Sequence, residues 1–356
     1  MQWKCTICNC VYDEKESKKK FGNLPEGWKC PTCGCEKDMY VTVGGPKGDT
    51  EIHDIIIIGA GSAGMTCAIY AARYGMTSLV ISEDVGGLMN DAYPVENYPG
   101  YVSISGFELM QKFKEQMDAL KIDMIAEEVK DIKKGSVFEV FTNAGSYKGK
   151  TVVIATGSKR RKLGVPGEEN FKGKGVHYCA ICDAPLYKGK IAAVAGGSDA
   201  AAQSALLLAK YAKKVYIIYR KEEIRAEPMH KKKISEAKNI EIINNTNITE
   251  VGGDKFVNYV VLDKKHGKSN ELKLDAVFVE IGSEPSIGLA KKIGVKINEK
   301  NEIVTNDKKE TNIEGLFAAG DVTNDYLKQA VVAAADGAKA AFSAYLHLLK
   351  KKREGK

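Results

Sequence analysis

The chain carries paired cysteines of two kinds. Cys179-Ala180-Ile181-Cys182-Asp183 puts two thiols two residues apart, a spacing that closes into a disulfide and opens again. The first thiolate of such a pair is often acidified, and thiolate is the nucleophile of exchange. Asp183, directly after the second thiol, is placed to carry protons to and from the pair. Two further pairs are Cys5-Thr6-Ile7-Cys8 and Cys30-Pro31-Thr32-Cys33. Each such turn can aim two thiolates at one ion, and together they complete a tetrahedral sulfur site that suits zinc or iron. Blander readings stand beside these. Two cysteines of a non-redox core can share the first spacing by chance, and a zinc ribbon that only holds a fold can use the other two pairs.

With 356 residues the chain exceeds one core of ordinary size, so two or three domains are expected. Its 44% hydrophobic and 28% charged residues are those of a soluble globular protein. The longest apolar runs are too short to span a bilayer, and Met1 to Cys5 shows no signal-peptide pattern. A cytoplasmic location is expected. Six of the nine cysteines fall in the first 35 residues and read as metal or redox groups of a reducing compartment. The net charge of +7 is modest, and part of it lies in Lys350-Lys351-Lys352-Arg353, expected to belong to a frayed, solvated tail over 350–356. No basic patch interleaved with aromatics is present, which argues against nucleic-acid binding.

From Ile52 the pattern is α/β. Ile55 to Ile58 reads as a buried parallel strand, Gly59-Ala60-Gly61-Ser62-Ala63-Gly64 as a tight turn, and Met65 to Tyr74 as an Ala-rich helix. Ser78 to Ile81 is a second strand, ending at Ser82-Glu83. This is GxGxxG with a strand before it, a helix after it and an acid about 20 residues on, the setting that binds a dinucleotide. Its glycines let backbone approach a pyrophosphate at a helix N-terminus. Glu83 can then bind a ribose hydroxyl. A second unit of this kind runs through the strand Lys190 to Val194, the turn Gly196-Gly197-Ser198-Asp199-Ala200-Ala201, the helix Gln203 to Tyr211 and the strand Val215 to Ile218. It ends at Tyr219-Arg220-Lys221, with Arg225 beyond, where cations favour the 2′-phosphate of NADP over NAD. Ser198 stands where the pattern has its middle glycine, and a side chain there crowds the pyrophosphate. A unit that keeps this fold and no longer binds nucleotide is therefore the alternative.

Three later stretches point the first turn to FAD. Thr151 to Ile154 runs into the small-residue turn Ala155-Thr156-Gly157. Gly315 to Val322 contains Gly320-Asp321. Lys328-Gln329-Ala330 opens an Ala-rich helix to Leu349. With Gly86-Gly87 and Val95-Glu96-Asn97-Tyr98-Pro99-Gly100 they resemble, in order, the flavoprotein disulfide reductases, and among them the low-molecular-weight thioredoxin reductases, over residues 52 to 349. The resemblance implies that Asp321 binds a ribityl hydroxyl and that Lys328-Gln329-Ala330 lies against the isoalloxazine. It also implies that Arg220, Lys221 and Arg225 clamp the NADPH phosphate, that thiols in the inserted domain alternate between flavin and a thioredoxin-like protein by domain rotation, and that the chain forms a homodimer. Leu88 departs from the family, which has Gln there. Ser158 to Arg161 and Gly282 to Pro285 are the expected crossings between domains and the expected hinge.

The first unit resembles rubredoxin. Cys5-Thr6-Ile7-Cys8, Val11-Tyr12-Asp13, Leu24 to Gly34 and Glu36-Lys37-Asp38 follow that pattern, and Trp3, Tyr12, Phe21, Trp28 and Tyr40 supply a dense aromatic core. The resemblance implies one iron on Cys5, Cys8, Cys30 and Cys33. Cys10 and Cys35 are departures, expected as small residues beside the site and not as ligands. A segment this short needs a metal to fold.

The expected organisation is a rubredoxin-like Fe(Cys)4 domain over 1–43 and a Gly-rich linker over 44–51. Two Rossmann-like three-layer units follow: an FAD domain over 52–160 and 285–349, and an inserted NADPH domain with the redox CxxC over 161–284. The expected activity is an NADPH-dependent, FAD-containing disulfide reductase of thioredoxin reductase type. A thioredoxin-type disulfide has a potential of roughly −270 mV, and a rubredoxin-type iron sits well above it. Flow from iron to disulfide would be uphill, so the iron is expected to exchange single electrons with an external acceptor or donor. One alternative is a ferredoxin- or rubredoxin-fed flavin reductase with a degenerate nucleotide site. A non-enzyme alternative is a zinc-ribbon interaction module on a flavoprotein redox sensor.

Overall fold

The computed structural model describes residues 2–5, 10–43, 51–92 and 94–355. The Gly-rich stretch 44–50 and Cys8 lie outside the described residues.

The central sheet is built on β4 (Ile52–Ile58), whose four isoleucines Ile55 to Ile58 are all buried. Such an uninterrupted apolar run suits a strand covered on both faces. β5 (Ser78–Ile81) and β6 (Asp123–Ile125) follow on one side in parallel. On the other side lies β9 (Ser146–Ile154), parallel to β4. Its first half takes the antiparallel pair β7 (Val129–Lys134) and β8 (Phe138–Thr142), and its last three residues take β20 (Leu316–Ala318) in parallel. The end of the chain thus returns to the sheet beside the first glycine turn.

α2 (Ser62–Arg73), α3 (Gly106–Ala119) and α8 (Ala330–Arg353) cover one face. α2 and α8 meet closely through small residues: a Cβ on Gly337 would collide with the backbone of Ala63. The opposite face packs against α7 (Gly288–Lys292) and Ile303. The helix after the first turn begins at Ser62, three residues earlier than expected, because glycines 61 and 64 form its entry rather than a loop before it. The basic run differs more. Lys350 to Arg353 are the last turn of α8, and Lys351 pairs with Glu314 at 2.7 Å. Cations there meet the negative end of the helix dipole, which stabilises the turn.

The inserted unit is a five-stranded parallel sheet in the order β11 (Val176–His177), β18 (Ala276–Val279), β12 (Ile191–Ala195), β13 (Lys214–Ile218) and β14 (Ile240–Ile243). The short α4 (Ala180–Asp183), α5 (Asp199–Leu208) and α6 (Pro228–Glu236) lie with one of its cores. The other face is covered by an antiparallel layer of β15 (Ile248–Gly253), β16 (Val257–His266) and β17 (Ser269–Lys273). The two crossings expected from the sequence form one ribbon: β10 (Ser158–Arg160) pairs antiparallel with β19 (Ser283–Pro285).

In the first unit β1 (Gln2–Cys5) pairs with β2 (Val11–Asp13) and β3 (Tyr40–Val43), and α1 is one turn, Glu14–Ser17. Phe21 is the hub of its core, stacked on Trp3 at 4.5 Å between ring centroids and edge-on to Tyr12 and Trp28. β3 runs on to pair with β6, joining this unit to the edge of the large sheet. Among the described residues no helix is long and apolar enough to cross a membrane.

The first glycine turn yields a stability test. A Cβ on Gly64 would run into the carbonyl oxygen of Gly59, whereas a Cβ on Gly61 would meet nothing nearer than Gly86 O at 4.0 Å. Gly64→Ala is expected to destabilise the fold by about 2 kcal/mol or more, as overpacking against backbone does. Gly61→Ala should leave the thermal midpoint of the ligand-free chain unchanged.

Candidate functional site

Cys179 and Cys182 form a disulfide with Cα atoms 5.5 Å apart. Cys179 caps the start of α4, and its sulfur accepts the Cys182 N–H at 3.2 Å. The one-turn helix brings Asp183 back beneath the pair. There Asp183 is not alone, as its sequence neighbours implied. His177 Nδ1 lies 2.7 Å from the Asp183 carboxylate, and His177 Nε2 lies 2.6 Å from the Tyr187 hydroxyl. With the carboxylate ionised, the network assigns Nδ1–H as donor to Asp183 and the Tyr187 O–H as donor to Nε2. His177 is buried and stacks on Phe278 at 5.2 Å. Burial, with the Asp183 charge second, pushes the Tyr187 hydroxyl up to about 12. Asp183 is thus one end of a three-residue proton path. The signal in the sequence was a histidine two positions before Cys179.

The disulfide faces the large sheet's domain. A carboxylate oxygen of Asp91, at the end of the 3-10 turn Gly87–Asp91, and both sulfurs lie within 4.8 Å of one another. Arg160, on the crossing ribbon, donates to Asp91 at 3.0 Å and to Glu280 at 2.9 Å. Glu280 follows β18 and also accepts from Ser204 at 2.8 Å. Burial raises the Glu280 carboxyl and Arg160 opposes it. One guanidinium therefore ties the turn under the disulfide to the inserted unit. Lys233 of α6 and Glu96 add a longer contact at 3.9 Å.

Around the first glycine turn, Gly59, Gly61, Ser62 and Gly64 form the bend from β4 into α2, and Glu83 lies exposed just beyond β5. Ala155, Thr156 and Gly157 follow β9, and Thr156 donates to Ser286 O at 2.9 Å. The Gly86-Gly87 bend folds over Asn90, whose side-chain oxygen is buried with no hydrogen-bond partner among the described residues. Gly320 and Asp321 open a 3-10 turn after β20. Burial raises the Asp321 carboxyl, and Lys328 opposes it. Lys328 is held by Glu302 at 3.1 Å and by the carbonyl oxygens of Asp321 and Thr323. Gln329 caps α8 before Ala330 and accepts from Asn97 at 3.1 Å. That bond joins the two halves of the interrupted domain. Behind Gly320, which donates its N–H to Asp336, the buried Asp336 pairs with the buried Lys309 at 2.6 Å. Sequence reading missed this pair because each residue alone looks like a surface charge.

In the inserted unit Gly196, Gly197 and Ser198 turn from β12 into α5. The Tyr219 ring packs flat against Gly197, where any Cβ would collide with it. Tyr219 is buried and its hydroxyl lacks a partner among the described residues. Arg220, Lys221 and Arg225 are exposed, and among the described residues none is in an ion pair. Ala200 is the second residue of α5, and Asp199 accepts from Glu227 N at 2.6 Å and lies 3.1 Å from His230. Ser198 has φ −90° and ψ −179°, and Gly61 has φ −82° and ψ −171°. Both are ordinary extended conformations. The backbone therefore demands glycine at neither position, and only a close ligand would.

Residues 53–337 match the family model of the pyridine nucleotide-disulphide oxidoreductases. The chain belongs to this family. A thioredoxin reductase of Bacillus subtilis (strain 168) is 38% identical over 83% of this chain and 94% of its own length. A 34.2 kDa protein in the rubredoxin operon of Clostridium pasteurianum is 38% identical over 82% and 96%. The crystal structure of Lactococcus lactis thioredoxin reductase superposes with a TM-score of 0.80, at 35% identity, over 84% of this chain and 99% of that one. As a pyridine nucleotide-disulphide oxidoreductase of thioredoxin reductase type, this chain has the two expected Rossmann-like units.

The cysteine-rich unit precedes the matched residues. There Cys5, Cys30, Cys33 and Cys35 have their sulfurs within 4.8 Å of one another, a set that fits a thiophilic metal. Cys35, expected as a bystander, stands 3.4 Å from Cys5. Burial, and then the Cys5 and Cys33 thiols, push the Cys35 thiol up.

Arg160→Met leaves Glu280 buried without its partner. It should cost roughly 3 kcal/mol, the low end for an ion pair broken from one side. Adding Glu280→Gln should recover most of it, read by thermal melts of both variants.

Proposed function

We propose that the chain is an NADPH-dependent, FAD-containing disulfide reductase that reduces Cys179–Cys182 and passes the electron pair to a thioredoxin-like protein. The observation that carries this reading is the placement of the disulfide. It is held by the inserted nucleotide unit, faces the Gly87–Asp91 turn of the other unit, and rests on the Asp183-His177-Tyr187 path. The residues present fit both dinucleotides. The Gly59 to Gly64 bend offers open backbone at Gly61, and Asn90 has an unused acceptor beside it. Tyr219 offers a buried hydroxyl without a partner beside three exposed cations. Gly59, Gly61, Ser62, Gly64, Glu83, Gly86, Gly87, Asn97, the Ala155 to Gly157 turn, Gly320, Asp321 and Lys328 to Ala330 would hold FAD. Gly196 to Ala200, Arg220, Lys221 and Arg225 would hold NADPH.

FAD, when bound, supplies the carrier of an electron pair between nicotinamide and disulfide. Two electrons and one proton turn the disulfide into one thiolate and one thiol. The thiolate attacks the substrate disulfide, forms a mixed disulfide and releases one substrate thiolate. Asp183, oriented by His177, takes the proton of the remaining thiol. The resulting thiolate closes the Cys179–Cys182 bond and frees the second substrate sulfur. For the pair to meet a protein substrate, the inserted unit turns about the 158–160 and 283–285 ribbon, which requires Arg160 to release Asp91 or Glu280. Domain limits at 52–160, 161–284 and 285–349, cytoplasmic location and a homodimer belong to the same proposal. So does a rubredoxin-like unit holding one iron on Cys5, Cys8, Cys30 and Cys33 and exchanging single electrons with a partner.

Ser198 favours a second reading, in which a reduced ferredoxin or rubredoxin feeds the flavin and the nucleotide turn is degenerate. Turnover separates the two. With NADPH and oxidised thioredoxin, Cys179→Ser and Cys182→Ser should abolish reduction, and Asp183→Asn should slow it by on the order of 100-fold, with flavin content unchanged. Turnover that needs a reduced iron–sulfur protein and ignores NADPH would establish the second reading.

A further inference from the structure

The first unit contains one motif twice. Cys5-x-x-Cys8-x-Cys10 is followed by Cys30-x-x-Cys33-x-Cys35. Both copies close the same backbone hydrogen bond. The Cys5 N–H donates to Cys10 O at 2.8 Å, and the Cys30 N–H donates to Cys35 O at 2.8 Å. The backbone of each third cysteine is thereby drawn back beside the first of its own turn. We propose that Cys35 is a fifth thiolate of the metal centre, able to replace Cys8 in a four-sulfur site.

The distances support a ligand. Metal–sulfur bonds of about 2.3 Å in a tetrahedron put neighbouring sulfurs about 3.8 Å apart. Cys5 and Cys33 sulfurs are 3.7 Å apart, and Cys5 and Cys35 sulfurs are 3.4 Å apart. Among the described residues, Cys5, Cys30, Cys33 and Cys35 make a set of four. Cys5 and Cys30 are buried and fixed by the Phe21 core, while Cys33 is exposed and Cys35 half-buried at the rim. Cys10 stands outside the set, near the Tyr40 hydroxyl that also donates to Cys30 Sγ at 3.2 Å. The repeat thus supplies two extra thiols, and one of them is in ligand position.

Exchange between the two sets changes no oxidation state. One metal–sulfur bond to Cys8 breaks, one to Cys35 forms, and the proton of the incoming thiol ends on the outgoing one. The centre then keeps four sulfurs when Cys8 is lost or oxidised. The inference rests on the reading that this unit binds iron or zinc.

The full chain, loaded anaerobically with ferrous iron, tests it by iron content and by sulfur coordination number from X-ray absorption. Wild type, Cys35→Ser and Cys8→Ser should each hold one iron on four sulfurs, and Cys8→Ser/Cys35→Ser should fall to three sulfurs or lose the metal. A three-sulfur or metal-free Cys8→Ser protein overturns the proposal while leaving the metal reading intact. A wild type that binds neither iron nor zinc overturns both. If the serine variants do not fold, alkylation of iron-loaded Cys10→Ser protein decides. Label divided between Cys8 and Cys35 supports exchange, and label on Cys35 alone refutes it.

Discussion

Arg160 ties the two nucleotide units together beside the disulfide. Its guanidinium is shared between Asp91, on the large-sheet unit, and Glu280, buried in the inserted unit that carries the disulfide. It sits on the ribbon through which the chain enters the inserted unit and is paired with the strand by which it leaves. A buried carboxylate such as Glu280 is tolerable only with a partner. The Arg160 side chain is held twice, so the disulfide is presented to the Gly87–Asp91 turn in one arrangement. Movement of the inserted unit must exchange these charge contacts for others or for water. In the proposed function, a cost of this kind sets how long the pair stays with each electron partner.

The two glycine turns make a controlled comparison within one molecule. In the first, Gly64 is imposed by packing on Gly59, and Gly61 is left to the ligand. In the second, the same backbone carries Ser198. The fold therefore survives in both units regardless of whether nucleotide binding does. In the proposed function Ser198 alters the approach of a pyrophosphate, and the buried Tyr219 ring beneath Gly197 keeps the turn in place.

Much of this was legible from the sequence, for physical reasons. The isoleucine run of β4, the glycine spacing and the small-residue turns are local, and local patterns fix strand, bend and helix. The crossing segments at 158–161 and 282–285 were legible through the resemblance to the thioredoxin reductases, but that they pair with one another as β10 and β19 was not. The partners of single charges were not. Asp91, Arg160 and Glu280 are distant in sequence, as are Lys309 and Asp336, and only the folded sheet brings them together. His177 was missed because a histidine two positions before Cys179 gains its meaning only when the fold sets it between Asp183 and Tyr187. The place of Cys35 beside Cys5 was not legible either, because it depends on how the second cysteine turn packs against β1.

In the proposed function, electrons enter through the inserted nucleotide unit. An anaerobic visible spectrum of the full chain with FAD and iron bound, titrated with NADPH and separately with NADH, tests it most directly. The account predicts that flavin bands, and then iron bands, bleach at low NADPH and hardly at all with NADH. Flavin that neither nucleotide bleaches, but that a reduced ferredoxin or rubredoxin does, would contradict it.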